Sequence, residues 1–464
     1  MTRTRIVATL IALSPLLPAQ SPTCNDLSGV VAVAQAAVTN LQMPGLVLRV
    51  DQHGQQVLLT TFGGYPVNTV MPLASGSKPL TAAVLMSLID QGLVAFDDPV
   101  ALYLPEYGIG QKAAITLRMC MSHTSGLPTF DPVSNDPTIT MRQAAFQIAQ
   151  MPLHHAPGAA FDYGSVSQQV AAAVCEVVTG LSWHQLFQQR VAGPLGMTST
   201  NFGSSTNPGV ADGGVGNAED YTRFLDMMRR GGLYSGGRLL TEASVEEMLT
   251  DQIGTRPVLW SPHPTTVHCG LGFWLERQDP TGRTLLACAP GAFGFFAYLD
   301  RERDATAVWV GYTFYIWAYP YLMDCWRETD VALAPLGVQC IGSSSPACAT
   351  PPAFHVLGWA REGNAAFGVG VEDGPASAWG VASFMIGPAG PGTSIQGIVN
   401  YVTTPSVLAP FTTDAQGRAV LPFPLPSGLQ GLVFTMQSAW IDPLSCGSSG
   451  LVASHAVQVT VMAP

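Results

Sequence analysis

The chain has 464 residues and a formal net charge of −11, with 11% charged and 47% hydrophobic residues. This length allows two or three domains with full cores, and the composition is that of a globular, loop-rich protein. A disordered or coiled-coil chain is excluded. The acidic balance and the absence of basic clusters argue against a nucleic-acid partner.

The N-terminus has the pattern of a secretory signal peptide. Arg3 and Arg5 precede an apolar stretch at 6–17, and Pro18-Ala19-Gln20 offers a cleavage region. We therefore predict a signal peptide at 1–20, and a protein that is secreted, periplasmic or at the cell surface. The apolar stretch at 305–323 predicts a buried strand followed by a docking helix, so no transmembrane segment is expected in the mature chain.

Apolar periodicity predicts the elements that follow. A helix is predicted at 26–41, a hairpin at 45–51 and 55–62, and a helix with a buried face at 75–91. Gly92 ends this last helix. Further predicted helices are 141–150, 166–179, 183–191 and 218–230, then strands 269–277, 284–289, 293–299 and 305–312, then a helix at about 316–331. Strands at both ends of a helical middle predict one sheet assembled from distant segments, with a helical subdomain inserted.

The character of the chain changes beyond Pro335. Short alternating runs separated by Gly/Pro turns predict seven strands, which are 354–359, 366–371, 379–386, 397–402, 419–423, 433–437 and 457–461. This spacing is typical of a β-sandwich, so we predict an all-β C-terminal module at 335–464. Few of its side chains are candidates for catalysis or ligand binding, which favours a structural or surface-attachment role for the module.

Nine cysteines in an exported chain permit at most four disulfides. Cys340 and Cys348 enclose a Ser/Pro-rich loop and form a natural pair. Cys269 and Cys288 are predicted to face each other across a hairpin that turns at 279–282. Neither a C-x-x-C pair nor an H-E-x-x-H run is present, so no metal and no cofactor are predicted.

The strongest chemical signal is Ser75-Gly76-Ser77-Lys78. The chain contains two lysines against eighteen arginines, and one of the lysines follows a serine by three residues. On a helix this spacing brings hydroxyl and amine to one face, and a desolvated lysine can lose its proton where an arginine cannot. S-x-x-K is the nucleophile motif of serine β-lactamases and penicillin-binding proteins. The alternative is a surface serine beside a solvated lysine.

From about residue 28 to 331 the chain resembles the β-lactamase-related serine hydrolases, which include class C β-lactamases, D-alanyl-D-alanine peptidases and related esterases. Five segments in order carry the resemblance, namely 70–107, 115–128 with ITLRMCMSHTSGLP, 157–200 with PGAAFDYGS, 213–248 and 290–304 with PGAFGFFAYLDRERD. The resemblance implies an α/β fold at 25–334, in which helices flank an antiparallel sheet and a helical subdomain is inserted.

The resemblance also implies roles for individual residues. Tyr163 stands where the family places a general base or proton relay, and Ser165 stands where many relatives have asparagine. Relatives have lysine or histidine, a small residue and glycine where this chain has Ala289-Pro290-Gly291. The N–H of Ala292 is expected to form an oxyanion hole with that of Ser75. His123 belongs to a structural turn in the family, and Asp162 is expected to cap or to form a pair.

These residues predict a secreted serine hydrolase that forms an acyl-enzyme on Ser75, with Lys78 and Tyr163 exchanging its proton. Its substrate is a small-molecule or peptide ester or amide. Because Ala289 brings no cation for a substrate carboxylate, esterase-like activity is favoured. The alternatives are a D-alanyl-D-alanine carboxypeptidase or β-lactamase, and a non-catalytic or weakly active penicillin-recognising binding protein of the cell surface.

Overall fold

The computed structural model describes residues 27–263, 268–333 and much of 338–461. The described residues form two compact units, one within Leu27–Leu336 and the other within Gly337–Pro464. The predicted signal peptide at 1–20, the predicted boundary between residues 334 and 335, and Cys348 lie outside the described residues, as does the side chain of Cys340.

The described helices all belong to the first unit. They are α1 Ser28–Asn40, α2 Ser77–Asp90, α3 Leu117–Met121, α4 Met141–Gln150, α5 Val166–Thr179, α6 Trp183–Phe187, α7 Gly193–Leu195, α8 Ala218–Arg229, α9 Glu242–Met248 and α10 Tyr315–Ala332. Side-chain caps begin several of them; for example, Thr140 and Gln143 form a capping box at the start of α4.

The strands of the first unit are numbered in chain order. They are β1 Gly45–Gln52, β2 Gln55–Gly63, β3 Met71–Pro72, β4 Phe161–Asp162, β5 Val215–Gly216, β6 Leu233–Tyr234, β7 Gly237–Arg238, β8 Val258–Trp260, β9 Trp274–Gln278, β10 Thr284–Pro290, β11 Phe295–Asp300 and β12 Ala305–Gly311. Six of them form the main antiparallel sheet in the order β2-β1-β12-β11-β10-β9. This confirms the prediction of one sheet assembled from distant segments.

Each face of this sheet is covered by helices. Side chains alternate along a strand, so Val47 belongs to one core cluster and Leu46 and Leu48 to the other. The first cluster contains the buried residues of α2, α5 and α8, and the second contains those of α1 and α10. This is the α/β arrangement that the resemblance implied, with helices on both faces of an antiparallel sheet.

The stretch predicted as a strand at 269–277 begins later than expected. Strand β9 starts at Trp274, because the chain turns at Gly270–Gly272 and Gly272 has φ +84°. A Cβ on Gly272 would lie 2.6 Å from the Lys78 carbonyl carbon. Glycine therefore lets this turn pack directly against the backbone of α2.

The predicted Cys269–Cys288 disulfide is wrong. Trp274 pairs with Cys288 on β10 and, on its other side, with Cys269 through an isolated bridge. The strand that contains Trp274 therefore lies between the two cysteines. Two strand spacings separate the Cα atoms of Cys269 and Cys288 by roughly 9–10 Å, which exceeds the ~7 Å limit for a disulfide. Both thiols are free, as are those of Cys120, Cys175 and Cys325.

The second unit is all-β. Its strands are β13 Val338–Ile341, β14 Ala353–Leu357, β15 Gly368–Glu372, β16 Trp379–Ile386, β17 Thr393–Ile395, β18 Ile398–Asn400, β19 Val407–Thr412, β20 Ala419–Pro422, β21 Val433–Ile441, β22 Leu451–Ala453 and β23 Ala456–Thr460. One sheet has the order β13-β23-β21-β16-β19 with β22 beside β21, a second has the order β14-β15-β20, and β17 pairs with β18. This confirms a separate all-β region.

The apolar stretch at 305–323 forms the fully buried strand β12 and the first half of α10, as predicted. Within the described residues no single helix has the length and hydropathy required to cross a membrane. One bent pair, Val166–Thr179 with Trp183–Leu195 at 84°, passes on length and composition alone.

Candidate active site

Ser75 lies in a 3-10 turn, Ala74–Gly76, that leads directly into α2. A hydrogen bond from α8 fixes this turn, because the Tyr221 hydroxyl donates to the Gly76 carbonyl at 2.8 Å. Ala74 has φ +45°, an uncommon conformation for a residue with a side chain. The backbone therefore presents Ser75 at a constrained helix start, and Ser75 itself remains partly accessible.

Lys78 is one turn further along and its side chain is almost fully buried, with 1% of its surface exposed. Its Nζ donates to Ser75 Oγ at 3.1 Å and to the Ala211 carbonyl at 3.1 Å. Burial lowers the pKa of the Lys78 amine to about 8, although the nearby Asp212 carboxylate opposes this change. At neutral pH a useful fraction of the amine is uncharged and in contact with the alcohol.

Tyr163 follows β4 and is brought to the same place. The Lys78 Nζ lies 4.7 Å from the centroid of its ring, and the ring stacks on Trp274 at 5.3 Å. Burial raises the pKa of the Tyr163 phenol, and a hydrogen bond with Ser75 offsets this only in part. The phenol is therefore protonated at neutral pH, which suits it to relay a proton rather than to act as a phenolate base.

Ser165 and Asp212 form the polar side of the site. The Ser165 hydroxyl donates to Asp212 Oδ2 at 2.7 Å, and both residues line the cleft beside Ser75. Sequence analysis missed Asp212. It is a single aspartate in a loop that the fold brings beside α2. The sequence around it indicates only a turn, through the Gly213-Gly214 that follows, and gives no sign of a functional site.

The stretch Ala289-Pro290-Gly291 ends β10 on the other side of Ser75. Ala289 is buried opposite Ala297 and brings no polar group. The strand approaches the nucleophile turn so closely that a Cβ on Gly291 would lie 2.2 Å from the Leu73 carbonyl oxygen. Only glycine fits this approach.

The N–H groups of Ser75 and Ala292 are both available to a ligand. Neither donates a hydrogen bond to another of the residues that the structure describes. Both residues line the same cleft, where Ala292 is exposed. An oxyanion hole needs two such N–H groups, and the assignment of this pair to that role stays a prediction.

The cleft in front of Ser75 has a volume of about 580 Å³ and a wall rich in aromatic side chains. Among its lining residues are Phe130, Trp260, Trp274, Phe293, Phe314 and Tyr315. Asp212 is the one charged residue among the described residues of this lining. No cation in that set could pair with a substrate carboxylate.

His123 lies behind Tyr163 rather than beside Ser75. Its ring centroid is 4.6 Å from that of Tyr163, and its Nδ1 accepts a hydrogen bond from the Gly164 N–H at 3.4 Å. Burial, with the Lys78 charge, lowers the pKa of His123 well below its ordinary value. The His123 ring is therefore uncharged at neutral pH, and it packs against Tyr163 within a turn. Asp162 pairs with His154 at 3.2 Å, in agreement with its predicted pairing role.

Comparisons with known proteins bear on the family and the fold. The Beta-lactamase family model matches residues 30–315. Esterase EstB of Burkholderia gladioli is 30% identical over 38% of this chain and 51% of its own length. An uncharacterized protein of Mycobacterium tuberculosis is 27% identical over 56% of this chain and 79% of its own. The crystal structure of a family VIII carboxylesterase superposes with a TM-score of 0.55, covering 67% of this chain and 99% of that one at 18% identity.

Proposed function

Because the chain belongs to the β-lactamase family and has the fold of its serine hydrolases, we propose that it is an exported esterase that forms an acyl-enzyme on Ser75. The observation that carries this proposal is the contact between the buried Lys78 amine and Ser75 Oγ at 3.1 Å. Export rests on the signal-peptide pattern at 1–20.

In the proposed acylation, neutral Lys78 accepts the proton of Ser75 as Oγ attacks the ester carbonyl. The N–H groups of Ser75 and Ala292 hold the oxyanion. The protonated Tyr163 phenol relays a proton between Lys78 and the leaving alcohol, which departs as the acyl-enzyme forms. Water then attacks the acyl-enzyme, with the proton returning to Ser75 through the same groups.

The direct test is covalent labelling of the full chain with a fluorophosphonate, followed by mass spectrometry of the labelled peptide. We expect one adduct, on Ser75, and none in Ser75→Ala. Ser77→Ala is the matched control, because Ser77 is the neighbouring serine but its Oγ is buried and accepts the Gly214 N–H. An adduct on another serine, or no adduct at all, contradicts the proposal.

A second candidate function is recognition with poor turnover, favoured by one observation: Ala289 is apolar where relatives have lysine or histidine, so the cleft lacks a polar group that relatives have beside the nucleophile. A penicillin-recognising binding protein could keep Ser75 reactive without efficient turnover. A fluorescent penicillin that labels Ser75 stably, together with no hydrolysis of p-nitrophenyl esters, would support this candidate against the esterase. Turnover of those esters without stable penicillin label supports the esterase.

The pH dependence follows from the pKa of about 8 of Lys78. The reactive form is the uncharged amine, about a tenth of the total at pH 7 and about half at pH 8. We expect kcat/KM for a neutral ester to rise through pH 8 and to level off above it. Asp212 raises the Lys78 pKa, so Asp212→Asn is expected to move the inflection to lower pH. A flat profile between pH 6 and 9, or an inflection that moves upward, contradicts this assignment.

Substrate charge provides a further prediction. Asp212 is the one charged residue among the described residues that line the cleft, and at pH 9 most of the neighbouring Lys78 amine is uncharged. At that pH p-nitrophenyl butyrate is therefore expected to be hydrolysed at least about tenfold faster than mono-p-nitrophenyl succinate. The two esters match in length and leaving group. High salt is expected to narrow the ratio of their kcat/KM values, because screening weakens the repulsion. Equal rates, or a preference for the succinate, would refute the electrostatic account of the cleft.

A further inference from the structure

A second group of reactive side chains lies behind the cleft wall. His263 and Cys288 are buried and Glu276 is partly buried, and their ligand atoms all lie within 4.8 Å of one another. His263 Nε2 is 2.8 Å from Glu276 Oε1, and Cys288 Sγ is 3.1 Å from the same oxygen. The proposed hydrolysis uses none of the three.

We propose that His263, Glu276 and Cys288 bind one divalent transition-metal ion, and that Zn²⁺ is the ion that their donor atoms fit. Imidazole nitrogen, thiolate sulfur and carboxylate oxygen are the three ligand types that Zn²⁺ takes in proteins. This inference goes beyond the esterase function and does not depend on it.

The geometry is close to what such a site needs. Zinc–ligand bonds of about 2.0–2.3 Å in a tetrahedron put neighbouring ligand atoms roughly 3.3–3.6 Å apart. The two separations from Glu276 Oε1, 2.8 and 3.1 Å, are slightly shorter, and the third, between His263 and Cys288, is within 4.8 Å. Side-chain movements on the order of 1 Å would therefore admit the ion. Glu276 on β9 and Cys288 on β10 come from adjacent paired strands, which fixes their relative positions.

The burial and the charge of the three side chains also favour a bound cation. The His263 and Glu276 side chains are 0% and 7% exposed, and an unneutralised charge is costly in such a place. Neutral imidazole, carboxylate and thiolate together carry −2, which Zn²⁺ cancels. On binding, the Cys288 thiol loses its proton to solvent and its sulfur forms a bond to the ion.

An independent observation comes from Tyr315 at the start of α10. Its hydroxyl is buried without a hydrogen-bond partner among the described residues. The Tyr315 ring centroid also lies 6.4 Å from that of His263. Buried hydroxyls normally have partners, and a bound ion or a water on that ion would supply one here and complete the coordination.

The test is a Co²⁺ titration of the full-length, chelator-treated protein under reducing conditions, followed by absorption spectroscopy. Co²⁺ is the probe, since it occupies zinc sites and its bonds to thiolate absorb in the near ultraviolet. We expect this band to saturate at about one ion per chain and to disappear when Zn²⁺ displaces the cobalt. Absence of a thiolate band in the wild-type protein overturns the proposal without any variant.

Variants then locate the site. Cys288→Ser is expected to abolish the cobalt–thiolate band, whereas Cys269→Ser, a buried thiol on the other side of Trp274, is expected to keep it. A band that survives Cys288→Ser places the ion elsewhere and overturns the proposal. Ser75→Ala is expected to bind cobalt as the wild type does, so a failure of the esterase proposal leaves this result unaffected.

Discussion

Replacing Lys78 by methionine is expected to lower kcat/KM for a neutral ester by about 10²–10⁴-fold, the usual contribution of a general base. Methionine has a similar length and suits a buried, largely apolar position, so the fold is expected to persist. The residual rate should lose its dependence on pH near 8, because the group responsible for that dependence is gone. The measurement is a pH series of steady-state rates, with circular dichroism to confirm folding.

The chain provides a matched control in Lys112, its other lysine. The Lys112 Nζ donates to the Ala149 carbonyl at 2.7 Å, and Lys112 does not line the cleft. Lys112→Met is expected to leave kcat/KM unchanged within about twofold. If Lys78→Met kept more than about a tenth of the wild-type rate, another group would have to accept the Ser75 proton, and the assignment of Lys78 would be wrong.

Gly291→Ala is expected to lower kcat by about 10²–10³-fold, although it adds only one methyl group. The new Cβ would lie 2.2 Å from the Leu73 carbonyl oxygen, so the end of β10 must move away from the nucleophile turn. That movement widens the gap between the N–H groups of Ser75 and Ala292. The strain is also expected to reduce the free energy of unfolding by about 1–3 kcal/mol, measurable by urea denaturation.

Gly64→Ala is the control for this effect. A Cβ at Gly64 would have one neighbour, the Pro44 carbonyl oxygen at an ordinary 3.8 Å, and the backbone there is not left-handed. We expect both kcat and the free energy of unfolding to be nearly unchanged. Full activity of Gly291→Ala would show that the position of Ala292 does not govern the oxyanion.

The sequence predicted correctly those features that depend on residues close together in the chain. The Ser75 to Lys78 spacing lies within one turn of helix, and the structure places the amine and the hydroxyl in contact. Apolar periodicity likewise located α2, α5 and the hairpin β1–β2 almost to the residue. In each of these, neighbours in sequence determine the geometry.

Features that depend on distant chain segments could not be predicted in this way. Asp212 reaches the cleft because its loop is bound to α2, where Lys78 and Thr81 donate hydrogen bonds to the carbonyls of the two residues before it. Cys269 and Cys288 have a spacing that suits a hairpin pair, but Trp274 lies between them. The edge strand β19 was missed because it contains Pro410, which an edge strand tolerates since it pairs on one side only.

The order of strands in the main sheet has a consequence for how this protein folds. Leu46 on β1 pairs with Gly311 on β12, so the first hairpin to leave the ribosome has no sheet to join until nearly all of the unit has been synthesised. Closing so long a loop costs entropy before any pairing compensates for it. The unpaired side of β1 stays open to aggregation during that interval. Assembly of the complete cleft, in which Ser75 meets Ala292 from the far end of the unit, therefore depends on how long the nascent chain avoids other partners.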